Sequence, residues 1–131
     1  MVKPNIPGCR ILVVDDEPLV CDAVKMMLSF DGHTVETATS GLAALACLAQ
    51  GPFDLVITDY AMPGMRGDEL ARQIRAAHPT LPVLMITAHA EMLAASGVPM
   101  PEIAQVISKP FKLDTLREAI RAHCPAGQPP Q

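Results

Sequence analysis

The chain predicts a doubly wound α/β domain, a five-stranded parallel sheet in the order 2-1-3-4-5 with five helices, and three observations carry that expectation. Strand-like apolar runs alternate with apolar residues at helical spacing along the whole 131-residue chain, the pattern of repeated strand–helix units. The first, third and fourth runs are Ile11-Leu12-Val13-Val14, Leu55-Val56-Ile57-Thr58 and Val83-Leu84-Met85-Ile86. Their hydrophobicity is continuous rather than alternating, so both faces of those strands must be covered, as helices above and below a parallel sheet require. The core must also be aliphatic, because half the residues are apolar while Trp is absent and Phe and Tyr number only three and one. Right-handed crossovers then leave few topologies, of which the order 2-1-3-4-5 suits five units.

The elements follow in order. After the first strand, Val20, Ala23, Val24, Met27 and Leu28 recur at three- and four-residue steps and predict a helix with one apolar face. Pro18 suits its first turn. Asp31-Gly32 ends it, and His33 to Thr37 reads as a short, weaker strand. Ser40 is placed to cap a second helix, whose inner face is predicted as Leu42, Leu45 and Leu48 or Ala49 and whose end is Gly51-Pro52. The third strand ends at Asp59, and after a turn at Pro63-Gly64 a helix from about Gly67 to Ala77 presents Leu70 and Ile74 before His78-Pro79 closes it. Beyond the fourth strand, Glu91 to Ser96 is helical in character but is cut short by Gly97, Pro99 and Pro101. Val106-Ile107-Ser108 forms the fifth strand, and a last helix after Pro110 carries Leu113, Leu116 and Ile120 in step. Three segments result: an N-terminal extension at 1–9, the domain at 10–124, and a Pro-rich tail at 125–131 that reads as frayed.

Composition bounds the function. The length fits one domain with a single core. A net charge of −4, with Lys and Arg scattered singly, provides no basic field for direct contact with nucleic acid. No apolar run approaches the roughly 20 residues needed to span a bilayer, and the segment from Met1 to Arg10 has no secretory apolar core. A cytoplasmic location is expected, with no membrane partner. Cys9, Cys21, Cys47 and Cys124 show no Cys-x-x-Cys pair and no clustering with histidine, so they are read as structural, reduced thiols. His33, His78, His89 and His123 are dispersed, and only His89 falls near the strand ends discussed next.

Those strand ends carry the chemistry. The first run delivers Asp15 and Asp16, the third Asp59, the fourth Thr87, and the fifth Lys109 followed by Pro110-Phe111. In a doubly wound sheet the ligand site lies beyond the carboxyl ends of the strands where strand order reverses, here between strands one and three. Two carboxylates about 4 Å apart repel by about 4 kcal/mol at an effective dielectric near 20, so one must stay protonated or a cation must join them. An oxygen-only set suits a hard ion such as Mg²⁺, which takes one or two carboxylates and keeps waters and phosphate oxygens. Lys109 adds a point charge for a second anion and Thr87 a hydroxyl. Together they are the parts for phosphoryl transfer onto a carboxylate.

At this point the chain resembles the receiver domain of two-component response regulators, from Arg10 to about His123. The resemblance rests on Asp15-Asp16, on Asp54-Leu55-Val56-Ile57-Thr58-Asp59-Tyr60-Ala61-Met62-Pro63-Gly64, on Thr87-Ala88 and on Lys109-Pro110-Phe111, all in the family's order and spacing. It implies a flavodoxin-like fold and a phosphorelay role in which Asp59 accepts a phosphoryl group from a phosphohistidine on a sensor histidine kinase or histidine phosphotransfer protein. It also implies Mg²⁺ held by Asp16, Asp59, Asp15 directly or through water, and the main-chain carbonyl of Ala61. Lys109 would pair with Asp59 and then with the phosphoryl group, and Thr87 would turn inward to it. The expected output is a conformational switch that controls a downstream protein, from a monomer or weak dimer without separate substrate turnover. The chain is expected to be a stand-alone regulator or a receiver excised from a hybrid histidine kinase. One departure is plain: the family usually places Tyr or Phe three residues before the lysine, where this chain has Val106. A valine cannot swing as an aromatic gate, so output is expected through another surface or through a backbone shift between Ala88 and Glu91. The alternative is an aspartyl-nucleophile phosphatase of the haloacid dehalogenase type, whose nucleophile lies near the N-terminus in an Asp-x-Asp pattern, the reverse of the order here.

Overall fold

In the computed structural model, which describes residues 8–97 and 99–124, strands and helices alternate strictly. They are β1 (Arg10–Val14), α1 (Pro18–Phe30), β2 (Thr34–Ala38), α2 (Gly41–Gln50), β3 (Leu55–Asp59), α3 (Gly67–Ala77), β4 (Val83–Thr87), α4 (Ala90–Ser96), β5 (Gln105–Ser108) and α5 (Leu113–His123). The sheet order is β2-β1-β3-β4-β5 with every pairing parallel. Residues 1–7 of the extension at 1–9, and the whole tail at 125–131, lie outside the described residues.

The inner strands are buried along almost their whole length, β4 at all five residues, whereas the edge strands β2 and β5 are only partly covered. Period-two alternation divides each inner strand between two cores. Ile11 and Val13 of β1 face Val24 and Leu28 of α1 and Leu116 and Ile120 of α5. Leu12 and Val14 face Ala44 and Leu48 of α2 and Leu70 and Ile74 of α3. Each fully buried Leu or Ile of these layers contributes about 1.5–3 kcal/mol through removal of apolar surface from water.

Helix starts follow the local signals. Pro18 opens α1, and Ser40 Oγ accepts the Ala43 N–H at 3.1 Å to cap α2. The predicted α1 face holds except at Ala23, which is exposed: Val24 and Leu28 are buried, Val20 and Met27 pack against the same core, and Cys21 joins them. The α2 face requires more correction. Its buried residues are Gly41, Ala44 and Leu48, and Leu42 is 73% exposed. Both helices are apolar on more than one side, so periodicity alone does not select the docked face. In α2 the docked face carries the small residues Gly41 and Ala44, and Gly41 lies under the Met65 side chain, where an added Cβ would come within 2.6 Å of sulfur. The short α4 buries no side chain, in keeping with its Gly- and Pro-interrupted sequence. Among the described residues no helix is long and apolar enough to cross a membrane.

The ends of the domain are tied by polar contacts. Arg117 of α5 donates from Nε and Nη2 to the two carboxylate oxygens of Asp31 at the end of α1, at 2.8 and 3.0 Å. His33 Nδ1 accepts the Cys9 N–H at 3.0 Å, which requires that nitrogen to be unprotonated. Burial pushes the His33 pKa below its ordinary value, with the nearby Asp31 carboxylate opposing that shift. A histidine less basic in the folded than in the unfolded chain stabilises fully above the unfolded pKa of about 6.5, and that contribution is lost as pH falls through the folded value. The urea midpoint is therefore expected to fall between about pH 7.5 and 5.5, and to fall less in a His33→Gln variant. Equal pH slopes for the two proteins would contradict this role for His33.

Candidate functional site

The site is assembled by strand register. Val14 of β1 lies opposite Thr58 of β3, so Asp15 and Asp59 follow at the same level of adjacent strands. Thr87, the last residue of β4, lies opposite Ser108 of β5, and Lys109 follows. The Lys109 N–H donates to the Thr87 carbonyl at 2.9 Å, and the Asp15 N–H to the Ala38 carbonyl at 3.1 Å. The backbone that presents each group is thereby held by the sheet even one residue past the strands. The Lys109–Pro110 peptide bond is cis.

The predicted acids do converge. One carboxylate oxygen each from Asp15, Asp16 and Asp59 lies within 4.8 Å of the others. Asp15 is buried, and Asp16 and Asp59 are half-buried. Lys109 Nζ stands 3.4 Å from Asp15 Oδ2 and 3.4 Å from Asp59 Oδ1. The remaining oxygen of Asp15 accepts the Glu17 N–H at 2.9 Å, which holds its carboxylate in place just before α1. Asp59 Oδ1 also accepts the Tyr60 N–H at 2.9 Å. Its second oxygen has no hydrogen bond among the described residues, which leaves it available for reaction.

Charge in this cluster is not balanced. Burial raises the Asp59 pKa and Asp15 adds to the rise, against the lowering effect of Lys109 and of the Tyr60 N–H. For Lys109 burial favours loss of the proton, but the Asp59 and Asp15 carboxylates outweigh it and the ammonium holds its proton more tightly than usual. One ammonium thus stands against two of the three clustered acids, and the shortfall is positive charge. An all-oxygen donor set, partly buried and short of positive charge, fits a hard divalent cation.

Thr87 Oγ1 accepts the His89 N–H at 3.0 Å, which ties the threonine to the β4–α4 loop and leaves its hydroxyl proton to donate. Ala61 lies in the β3–α3 loop, exposed, two residues beyond Asp59. His89 contributes no ligand to the acidic group; its ring meets the edge of Tyr60 with centroids 6.4 Å apart. The Arg66 guanidinium covers the same Tyr60 ring at 5.5 Å. Val106 is half-buried opposite Met85 on β4.

Sequence reasoning missed two contributors. Tyr60, Arg66 and His89 form a ring-and-guanidinium wall beside the acids, and only their closeness to two strand ends hinted at it. The other is Gly67 at the start of α3: its N–H donates to the Tyr60 carbonyl at 2.9 Å, and an added Cβ would lie 2.2 Å from the Asp59 carbonyl oxygen. A glycine at the first helical position, directly after the Arg66 cap, was the available signal, since it is among the poorest helix formers.

Comparison with known proteins agrees with this geometry. The family described as the response regulator receiver domain matches residues 11–121. The transcriptional regulatory protein TcrA of Mycobacterium tuberculosis is 34% identical over 127 residues, covering 97% of this chain and 50% of that protein. The chain thus spans about half the length of that relative. The chemotaxis protein CheY-3 of Vibrio cholerae is 40% identical over 114 residues, covering 85% of this chain and 88% of that protein. The crystal structure of the response regulator protein TrrA from Thermotoga maritima, in complex with Mg²⁺ and BeF, superposes with a TM-score of 0.79 at 34% identity, covering 86% of this chain and 96% of that one. With the fold, the strand-end acids and the family match in agreement, the chain belongs to the receiver domain family of two-component response regulators.

Proposed function

We propose that Asp59 is the phosphoacceptor of a two-component phosphorelay and that residues 10–124 form the unit that carries it. The observation behind this reading is the convergence of Asp15, Asp16 and Asp59 within 4.8 Å, with Lys109 against two of them. The donor is a phosphohistidine on a histidine kinase or phosphotransfer protein. The free oxygen of Asp59 attacks phosphorus, the new P–O bond forms as the P–N bond breaks, and the imidazole leaves with the electron pair. Asp15, Asp16, Asp59 and the main-chain carbonyl of Ala61 would hold Mg²⁺, which when bound offsets charge on the phosphoryl oxygens. Lys109 Nζ, already between Asp15 and Asp59, passes from the Asp59 carboxylate to a phosphoryl oxygen.

Thr87 supplies the switch. Its oxygen accepts the His89 N–H while its own proton stays free to donate, so a turn of Thr87 towards the phosphoryl group would loosen that bond and with it the β4–α4 loop. With Val106 at the usual aromatic position, this loop and the neighbouring Tyr60 ring are the route outward, in a population shift set by how differently the two states bind the phosphoryl group. The partner receiving the signal is a protein, and the chain turns over no separate substrate. The phosphatase reading gains no support from the family match, and the acceptor acid lies on the third strand rather than the first.

Incubation with a ³²P-labelled small phosphodonor and Mg²⁺ is expected to label the protein once, without sustained hydrolysis of phosphate esters. Multiple turnover of esters would overturn the receiver reading. Asp16→Asn, which removes a charge but not the shape, should weaken Mg²⁺ binding by about tenfold or more, by analogy with the loss of one charge-assisted contact of about 1.5–3 kcal/mol. Titration calorimetry reads this directly, and unchanged affinity would remove Asp16 from the ligand set.

A further inference from the structure

Cys9 precedes β1 and Cys124 follows α5. Sequence alone predicts separate reduced thiols, and the tertiary structure corrects that, because their sulfur atoms are brought together across a separation of 115 residues with Cα atoms 6.4 Å apart. That Cα spacing lies within the range of about 4.4–6.8 Å that a disulfide spans without backbone movement. Both side chains are buried, 1% and 0% exposed, within the core layer shared by β1, α1 and α5. Antiparallel return of α5 across the sheet causes the meeting: the helix starts beyond the carboxyl ends of the strands and ends beside the start of β1. The Arg117–Asp31 pair holds α5 against α1 in that position. Cys21 and Cys47 have no such partner and remain free thiols on α1 and α2.

We propose that Cys9 and Cys124 form a reversible oxidative modification site, a disulfide that ties the two ends of the domain when a low-molecular-weight disulfide is the oxidant. One cysteine thiolate attacks a sulfur of the oxidant, whose S–S bond breaks to release one thiol and leave a mixed disulfide. The second cysteine thiolate attacks the protein sulfur of that mixed disulfide and releases the other thiol. Two protein thiols lose two protons and two electrons, and the oxidant becomes two thiols. Burial of both cysteines means the exchange proceeds when the last turn of α5 lifts from β1, so it is slow in the native state. Because the closed loop takes in almost the whole domain, cross-linking restricts the unfolded chain strongly.

The test uses the full chain equilibrated in oxidised glutathione or in dithiothreitol, then denatured and alkylated with iodoacetamide. Two alkyl groups are expected after oxidation, on Cys21 and Cys47, against four after reduction, and peptide mapping should join Cys9 to Cys124. The oxidised protein should melt about 10 °C higher than the reduced one, and Cys124→Ala should abolish both differences. The comparison of oxidised with reduced wild-type protein needs no variant, so a variant that folds poorly does not obscure it. Four alkyl groups after oxidation, a link through Cys21 or Cys47, or a Cys9–Cys124 link with unchanged melting would each overturn the proposal.

Discussion

Asp59→Asn is expected to reduce phosphoryl uptake from a labelled donor by at least about a thousandfold, to background, while leaving the fold intact. The size follows from the chemistry: an amide oxygen lacks the charge and basicity of a carboxylate, and removal of a nucleophile commonly costs several orders of magnitude. Preservation of the fold follows from electrostatics. Asp59 is held above its usual pKa by burial first and then by Asp15, so its charge is less favourable in the folded than in the unfolded chain. Asparagine fills the same volume without that charge, and Lys109 keeps Asp15 as a partner at 3.4 Å. The variant should therefore melt no lower than the parent. Labelling and a thermal scan on the same preparation check both halves, and full labelling of the variant would identify a different acceptor.

Gly67→Ala should cost about 1–3 kcal/mol of stability and weaken Mg²⁺ binding several-fold. The added Cβ would lie 2.2 Å from the Asp59 carbonyl oxygen and 3.0 Å from the Tyr60 Cα, both main-chain atoms. A flexible side chain could give way, but main chain held in β3 cannot without moving Asp59 and the turn after it. Alanine is the better helix former by about 1 kcal/mol in a helix interior, so propensity argues for a gain and the steric contact for a loss. Gly51→Ala serves as control, since a Cβ there meets nothing closer than 4.0 Å. Urea unfolding together with Mg²⁺ titration of both variants would decide. A Gly67→Ala protein as stable and as tightly binding as the control would show that α3 docks without need of that close approach.

The legible part of the site was the part written in strand ends. Asp15, Asp59, Thr87 and Lys109 each follow or end a continuous apolar run, and such a run both marks a buried strand and fixes where it stops. Parallel register then sets those ends at one level, as the pairing of Val14 with Thr58 and of Thr87 with Ser108 bears out. The wall of Tyr60, Arg66 and His89 was not legible, since its residues come from two loops whose paths depend on packing. Helix faces were read less well than strands. Leu42 fits an apolar period as well as Leu45 and Leu48 do, yet it points to solvent at 73% exposure, because α2 docks through the face that carries Gly41, Ala44 and Leu48.

Local patterning along the chain sets the order of elements, the two-faced burial of the inner strands, and the residue types gathered at their carboxyl ends. These depend on local periodicity and on the chirality of crossovers, both of which act over a few residues at a time. Docking of the elements is what sets Lys109 between Asp15 and Asp59, brings the His89 N–H to the Thr87 oxygen, and lets Cys9 meet Cys124. Each of these joins atoms whose separation depends on how far a helix rotates or a loop leans when it docks, and that is settled by close packing across the whole core.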